Sequence, residues 1–491
     1  MEAYVVSIII LNWNGLSVLS PCLEALERNT RHQPYEVILL DNGSTEQGIE
    51  EIAAKYPKVK VLRSPVNWGF AKGNNLAARD ARGEYLVFLN NDTLPQPGWL
   101  EALVRMATEH QNCGLVGSRL MNPDGSIQHI GGYFVPEVRT FMSPYRGYPT
   151  DAPGVLVPRE CEVYIACCLL VRRDAFDRGG GFDERFQQGF EDFDLCLTIR
   201  EQGSTLWYCP ESVVTHFAET STKKLDIRTR RRNKRENTRY FYQKWEDKLF
   251  RLRLPPENIP ASMTGFNYYT KNRSDVFEFF PVRVGKVLEV GCGAGILGEQ
   301  LKAQGKAGYV CGVEINPMAA AMAKKRLDLV IVADVENSEL SLEPESFDAL
   351  LFADVLEHLR DPWRALLRLV KLLKPGGHVV ASIPNIRHYK ILRKLWRDHW
   401  RYEKEGILDR THLRFFGLAA IRDLMNFSGL EILQVARRRR AKPWVLAVNR
   451  HWAVLDDLLT YQYLIHARKR SWTVEEDLPE GDALQRGGGS R

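Results

Sequence analysis

An apolar run at residues 85–89 stops abruptly at Asn90-Asn91-Asp92, and the same pattern recurs upstream. Residues 5–11 close on Asn12-Trp13-Asn14-Gly15, and residues 35–40 close on Asp41-Asn42-Gly43-Ser44-Thr45. A shorter run at 59–62 precedes Asn67-Trp68-Gly69-Phe70-Ala71-Lys72-Gly73-Asn74-Asn75, read as a polar, glycine-rich loop. Helical spacing lies between the runs, as in Leu19, Cys22, Leu23 and Leu26. Apolar strands alternating with helices predict an α/β chain with a parallel, doubly wound sheet, whose ligands bind beyond the strand carboxyl ends. An Asn-x-Asp there offers a neutral oxygen and a carboxylate, hard ligands that Mg²⁺ or Mn²⁺ takes. One such end is equally an Asn/Asp turn. Several converging on one sheet edge predict a nucleotide pocket.

At 491 residues the chain is long enough for two or three domains. Apolar content of 44% and charged content of 26% are ordinary for a globular protein. The net charge of +6 fits anionic substrates such as nucleotide diphosphates, or an anionic membrane surface, without calling for nucleic acid. The nine cysteines show no C-x-x-C and no metal-ligand spacing, which predicts reduced, buried thiols and a cytoplasmic protein. Residues 5–10 enter a strand without a preceding basic segment, so no secretory signal is expected, and no apolar run reaches bilayer-spanning length.

The ordered motifs Ile10-Leu11-Asn12-Trp13-Asn14, Leu40-Asp41-Asn42-Gly43-Ser44-Thr45, Asn67 to Asn75 and Leu89-Asn90-Asn91-Asp92 carry a resemblance. So do Gly181-Phe182-Asp183-Glu184, Phe190-Glu191-Asp192-Phe193-Asp194 and Val214-Thr215-His216. Together they resemble the family 2 glycosyltransferases with a GT-A fold, in their rhamnosyltransferase-like branch. The resemblance implies that Trp13 stacks on the nucleotide base, that Asp41 contacts base or ribose, and that Asn12, Asn67, Asn74 and Asn91 line the nucleotide-sugar site. Asn90-Asn91-Asp92 stands where the family has its D-x-D metal motif. Asn replaces the first Asp, leaving Asp92 as main ligand beside Asn90, with His216 completing the site.

Glycosyl transfer needs a stabilised diphosphate leaving group and a deprotonated acceptor hydroxyl. A divalent cation serves the first, and a carboxylate serves the second as general base. Glu191-Asp192 opens a helical pattern through Arg200, with Phe193, Cys196 and Leu197 at its spacing. Asp192 is the expected base, Glu191 its neighbour, and Asp194 structural. An acidic helix N-terminus is also favoured by the helix dipole alone. Direct displacement predicts inversion at the anomeric centre.

From Lys223 to Arg235 there are eight Lys or Arg residues. They form either a solvated helix face or a clamp on the donor diphosphate or a lipid-diphosphate acceptor at a membrane. Dense prolines at Pro255, Pro256 and Pro260 place a linker at 251–264, between domains at 1–250 and 265–470.

Lys286 to Gly295 reads as strand, glycine turn and helix, and Glu314 ends a second strand with a carboxylate suited to a ribose diol. With Ala333-Asp334-Val335, Asp354-Val355-Leu356-Glu357-His358 and Leu373-Lys374-Pro375-Gly376-Gly377, this half is similar to the class I S-adenosylmethionine-dependent methyltransferases, which are Rossmann-like. Residues 430–435 and 461–467 are its expected last strands. The resemblance implies that Glu289, Gly291, Gly293 and Gly295 line the methionine end, that Glu314 holds the ribose, that Asp334 lies near the adenine, and that Asp354 lies on the substrate side. His358 and His412 are candidate bases for a hydroxyl acceptor, or structural. Residues 387–414 are expected to cap the substrate site. Arg437 to Arg440 is either a solvated strand end or a second anion contact, and the polar tail from 471 is expected to be disordered.

The combined expectation is a bifunctional enzyme of cell-surface polysaccharide assembly. One domain is expected to transfer a sugar, rhamnose from dTDP-rhamnose, to a glycan or lipid-linked glycan acceptor. The other methylates a sugar hydroxyl with S-adenosyl-L-methionine, in the cytoplasm or at the inner face of the membrane. The rivals are a non-catalytic, glycan-binding first domain and a methyltransferase for a small aromatic or quinone substrate.

Overall fold

The computed structural model describes residues 5–31, 34–152, 154–187, 189–217, 227–255, 258–260, 269–270, 273–280, 283–439 and 456–470. The tail from 471, residues 223–226 of the basic run, Arg440 and parts of the expected linker lie outside the described residues. The chain divides into two compact units, Met1–Tyr268 and Tyr269–Arg491. All nine cysteines are buried and free. No helix among the described residues is long and apolar enough to cross a membrane.

In the first unit, β1 (Val6–Asn12), β2 (Tyr35–Asn42), β3 (Val59–Ser64) and β4 (Tyr85–Asn90) run parallel in the order β4-β1-β2-β3. The β-branched and aromatic residues of β1, β2 and β4 are almost wholly buried, as Ile8, Ile9, Val37, Ile38 and Val87 show, while those of the edge strand β3 are half-buried. Register decides where the polar ends fall. Asn12 pairs with Asp41 and Leu11 with Asn90, so these ends line up along one sheet edge.

The remaining strands are β5 (Thr93–Pro95), β6 (Cys113–Met121), β7 (Ile127–His129), β8 (Tyr133–Val135), β9 (Thr140–Met142), β10 (Arg159–Glu160), β11 (Cys168–Arg172) and β12 (Thr205–His216). Six of them extend the sheet, as β10-β12-β6-β11-β4 with β5 on β12 and β7 on β6, and β11 is antiparallel to both β4 and β6, whereas β8 and β9 form a separate two-stranded sheet. The sheet is therefore mixed, not wholly parallel as read from the runs alone. A strand buried on both faces has the same apolar signature in either direction.

Helices α1 (Leu16–Asn29), α2 (Ile49–Ala53), α3 (Gly69–Asp80), α4 (Trp99–Glu109), α5 (Arg173–Arg178), α6 (Glu191–Glu201) and α7 (Ile227–Leu249) complete the unit. Most of the stretch expected as a loop at 67–75 is the first two turns of α3. On α7, Asn237, Phe241, Trp245 and Leu249 are buried at four-residue intervals, while Arg231, Arg232, Lys234 and Arg235 are exposed. One face packs and the other is solvated.

The second unit has β13 (Val284–Val290), β14 (Ala307–Glu314), β15 (Leu329–Val332), β16 (Phe347–Ala353), β17 (Leu373–Pro384), β18 (Leu430–Arg439) and β19 (Thr460–Lys469). Their order is β15-β14-β13-β16-β17-β19-β18, with β19 antiparallel to its two neighbours. Its helices are α8 (Ser274–Phe279), α9 (Ile296–Ala303), α10 (Pro317–Ala323), α11 (Pro362–Val370), α12 (Tyr389–Trp396), α13 (Leu418–Phe427) and α14 (Asp456–Leu459). Strand order reverses between β13 and β16, which is where an open α/β sheet forms its ligand crevice.

Candidate functional site

Asp92 follows β4, and His216 ends β12, whose last residues pair with β5. The pairing brings His216 Nε2 to 3.3 Å from Asp92 Oδ1 and 3.5 Å from Asn90 Nδ2. On the other side of the ring, His216 Nδ1 lies 2.7 Å from Gln128 Oε1. The Gln128 amide nitrogen donates to Asn122 Oδ1 at 3.1 Å and to the His216 carbonyl at 3.2 Å. Its oxygen therefore faces the ring, and Nδ1 carries the proton. Nε2, the unprotonated nitrogen, faces Asp92 Oδ1 and accepts a long contact from the Asn90 amide nitrogen. Two electron-rich atoms this close, both nearly buried, call for a cation between them, either a proton or a metal. A carboxylate and a neutral imidazole fit Mn²⁺ or a similar divalent ion.

Asp192 lies near this pair. The Asn90 amide donates to the Cys167 carbonyl, and the adjacent Ala166 amide donates to Asp192 Oδ2 at 3.3 Å. Burial pushes the Cys167 thiol far above its ordinary range, and the charges of Asp192 and Asp92 add to it. Phe193 N donates to Asp192 Oδ1 at 2.8 Å, while Glu191 accepts from the Gly189 amide. Burial raises both carboxyls, and the Asp192 charge raises Glu191 further. Asp194 is fully committed elsewhere, to Trp245 Nε1 at 2.7 Å and Lys244 Nζ at 2.7 Å.

The other predicted residues of this unit are placed as follows. Asn12 Oδ1 accepts from Asn91 Nδ2 at 2.7 Å, and its own buried Nδ2 has no partner among the described residues. A Cβ on Gly15 would sit 2.7 Å from Asn91 Nδ2, so the turn after β1 admits no side chain there without displacing that pair. Trp13 is half-buried. Asp41 Oδ1 accepts from Ser44 N at 3.2 Å. Asn67 Oδ1 accepts from Gly69 N and Asn42 Nδ2, and Asn74 Nδ2 donates to the Phe70 carbonyl. Asn67 and Asn74 thus brace the start of α3.

In the second unit, Gly291, Gly293 and Gly295 all have positive φ, at 67°, 54° and 79°. A Cβ on Gly291 would meet Val355 and one on Gly293 the Tyr269 carbonyl, each at 2.7 Å. Gly293 N and Asn316 N donate to the two oxygens of Glu314, each at 2.8 Å. Glu289 is buried, its Oε2 has no partner among the described residues, and burial pushes its carboxyl up to about 8. Asp334 caps the turn after β15 through Glu336 N and Asn337 Nδ2. Asp354, at φ 58°, receives Arg273, Gln462 and Ser382.

His358 Nδ1 bonds to the Thr411 carbonyl at 3.2 Å and His412 Nδ1 to the Ile407 carbonyl at 3.0 Å. Carbonyls only accept, so in both rings Nε2 bears the lone pair. Glu357, His358 and His412 each offer one ligand atom, all within 4.8 Å of one another. Glu357 is 1% exposed, and neither carboxyl oxygen has a partner among the described residues. Burial raises it well above the usual range, and Asp354 adds to that.

A family model described as "Glycosyl transferase family 2" matches residues 7–180. The chain is 30% identical over 218 residues to the N-acetylglucosaminyl-diphospho-decaprenol L-rhamnosyltransferase of Mycobacterium tuberculosis, covering 39% of this chain and 69% of that protein. The chain belongs to glycosyl transferase family 2. A second model, described as "Methyltransferase domain", matches residues 250–435. Similarity extends to the O-antigen biosynthesis protein RfbC of Myxococcus xanthus, at 30% over 232 residues, which is 44% of this chain and 18% of that one. It also extends to the ubiquinone biosynthesis O-methyltransferase of Aliivibrio fischeri, at 28% over 177 residues, which is 32% of this chain and 72% of that one. The chain spans only 27% and 18% of the lengths of two curated relatives that it matches over 256 and 232 residues.

Sequence reasoning missed several residues of the family 2 glycosyltransferase unit. Gln128 has no motif of its own. It is delivered by the β6–β7 pairing, in which Leu120 meets His129. Asn75 clamps the segment between α5 and α6, donating to the Phe182 carbonyl at 2.9 Å and accepting from its amide at 2.9 Å. Asn237 holds the Gln187 and Gly189 carbonyls. With Lys244 and Trp245 it ties α7 to the segment that leads into Asp192. The four-residue interval of polar and aromatic residues on α7 was the available signal.

Proposed function

We propose that the first unit transfers a sugar from a nucleotide diphosphate donor to a glycan or lipid-linked acceptor, with inversion. The observation that carries this reading is the convergence of Asp92, His216 and Asp192 about Ala166-Cys167. A divalent cation held by Asp92 and His216, with Asn90 beside them, would neutralise charge on the donor's diphosphate oxygens. Asp192 takes the acceptor's hydroxyl proton. Two backbone amides orient its carboxyl, and its raised proton affinity suits a base working near neutral pH. Asn12, Trp13, Asp41 and Asn91 lie along the same edge, where the nucleotide is bound. The rhamnosyltransferase and O-antigen relatives support rhamnose as the sugar transferred and surface polysaccharide as product, and dTDP-rhamnose is the donor in this reading.

The second unit, in this reading, binds S-adenosyl-L-methionine against the glycine turn after β13. A backbone with no room for a Cβ admits a close ligand there, and Glu289 offers one unpartnered carboxyl oxygen for the donor's ammonium group. The sulfonium supplies the reactivity, and the protein aligns a hydroxyl against it. On α12, the exposed Leu392, Leu395 and Trp396 share a face, among the exposed Lys390, Arg393 and Arg397. That composition supports a peripheral contact with an anionic membrane carrying a lipid-linked acceptor. The similarity to a ubiquinone O-methyltransferase favours a second reading, an aromatic hydroxyl as methyl acceptor.

Purified protein incubated with a panel of nucleotide sugars and Mn²⁺ tests the first half. Hydrolysis of one donor, lost in D92A and in metal-free buffer, is expected. Hydrolysis that persists in D92A would refute it. Methyl transfer from labelled donor to glycan acceptors, against catechols, decides between the two acceptor classes.

A further inference from the structure

We propose that Glu357, His358 and His412 form a second divalent-cation site, in the methyltransferase unit. Two segments far apart in sequence build it. The short helical turn Leu356–His358 follows β16, and the main chain of the other segment is pinned to it, since Leu413 N and Arg414 N both donate to the Glu357 carbonyl, at 2.8 Å and 3.0 Å. Asp409 accepts from the amide and hydroxyl of Thr411, at 2.9 Å and 2.7 Å, which fixes the turn that presents His412. Three ligand atoms therefore meet within 4.8 Å without relying on flexible loops.

The donor set points to a ligand. Each imidazole gives its Nδ1 proton to a backbone carbonyl, the arrangement by which protein-bound metals orient histidine and leave Nε2 to coordinate. Between them sits a carboxyl, 1% exposed, with no hydrogen-bond partner among the described residues. Buried polar groups in native proteins are nearly always satisfied. A cation would satisfy this carboxyl, with the two rings as its other ligands. Two imidazoles and a carboxylate select Zn²⁺, Mn²⁺, Fe²⁺ or Co²⁺ over Ca²⁺, and three protein ligands leave a position open.

The site's place gives it a use, which rests on the methyltransferase reading. It follows β16, the strand beside the glycine turn of β13, and a Cβ on Gly291 would meet Val355. An acceptor hydroxyl bound at the open position loses its proton to water. Its oxygen then forms the new O–CH₃ bond as the S–CH₃ bond breaks and returns its electron pair to sulfur.

The test uses the full chain carrying D92A, which removes the first unit's cation. After chelation and dialysis against Zn²⁺ or Co²⁺, one bound ion per chain is expected, with visible Co²⁺ absorption showing nitrogen ligation. E357Q and H412N should each weaken binding by about 10-fold or more, while S-adenosylmethionine binding by calorimetry stays within about threefold, showing that the unit is folded. No bound ion in the D92A chain, a Co²⁺ spectrum without nitrogen ligands, or unchanged affinity in both variants would overturn the proposal. Should the variants fold poorly, the Co²⁺ spectrum of the D92A chain decides alone. Metal binding without methyl transfer to any acceptor would refute the catalytic reading and leave the site standing.

Discussion

Replacing Gln128 by Leu tests whether the first unit's site is a metal centre or a simple ion pair. The substitution keeps bulk and removes both the acceptor for His216 Nδ1–H, at 2.7 Å, and the donor to Asn122 Oδ1 and the His216 carbonyl. Gln128 bonds the His216 nitrogen that faces away from Asp92, so it acts by fixing which ring nitrogen carries the proton. Loss of such a partner costs about 10- to 100-fold in metal affinity, or about 1.4 to 2.7 kcal/mol. Titration of Mn²⁺ into the protein with a nucleoside diphosphate, followed by calorimetry, should show that loss in Q128L and near-complete loss in D92A. If His216 were instead a protonated partner of Asp92, a cation would compete with the proton, and removing Gln128 would leave Mn²⁺ affinity unchanged or improved. An unchanged affinity in a Q128L chain that melts close to wild type would refute the argument.

Two further outcomes follow from buried carboxyls. W245F keeps the ring that packs on α6 but deletes the indole donor to Asp194, a 2% exposed carboxyl. Burial already raises Asp194 despite Lys244 beside it. The lost charge-assisted bond should therefore cost about 1.5–3 kcal/mol, lowering the first unit's unfolding temperature by roughly 3–12 °C; a shift under one degree would exclude it. Glu289, raised from 4.5 to about 8, holds its proton in the folded unit where the unfolded chain has lost it. Its contribution to stability is full below about 4.5 and is lost as pH rises to about 8. E289Q should remove that slope, so the variant gains stability relative to wild type across that window in thermal scans of the second unit without ligand. Parallel curves for the two proteins would disprove the assignment.

What could be read in the chain depended on whether the chemistry was local. Asn12, Asp41 and Asp92 were visible because an apolar run ending in a polar residue names a strand end, and parallel pairing then aligns those ends. Residues 69–75 read as a loop because Gly and Asn are poor helix formers. The structure makes them helical because Asn42, from β2, accepts from Trp68 N at 3.0 Å and donates to the Gly69 carbonyl at 3.2 Å, so a strand end caps the helix from outside. Gln128 and Glu357 were silent for a different reason. A glutamine after a turn and a glutamate before a histidine carry no pattern until strand register or a returning segment gives them neighbours.

Backbone strain marks both sites and was equally invisible. Phe190 precedes Glu191 and Asp192 at φ 79°, and Asp354 precedes Glu357 and His358 at φ 58°. A non-glycine residue there costs on the order of 1–3 kcal/mol and persists only where its surroundings over-determine it. The Phe190 ring stacks 4.7 Å from Phe241 of α7, the helix whose Asn237 holds the Gln187 and Gly189 carbonyls. Asp354 is gripped by Arg273, Gln462 and Ser382, drawn from α8's approach, β19 and β17. In each unit the sharp backbone reversal lets a strand edge or loop hand its carboxylates to the crevice, and elements distant in sequence supply the contacts that keep it. Asp92 and Asp192 are legible from sequence and Glu357 is not, and in both units the devices that aim the carboxylates exist only once the chain has closed around them.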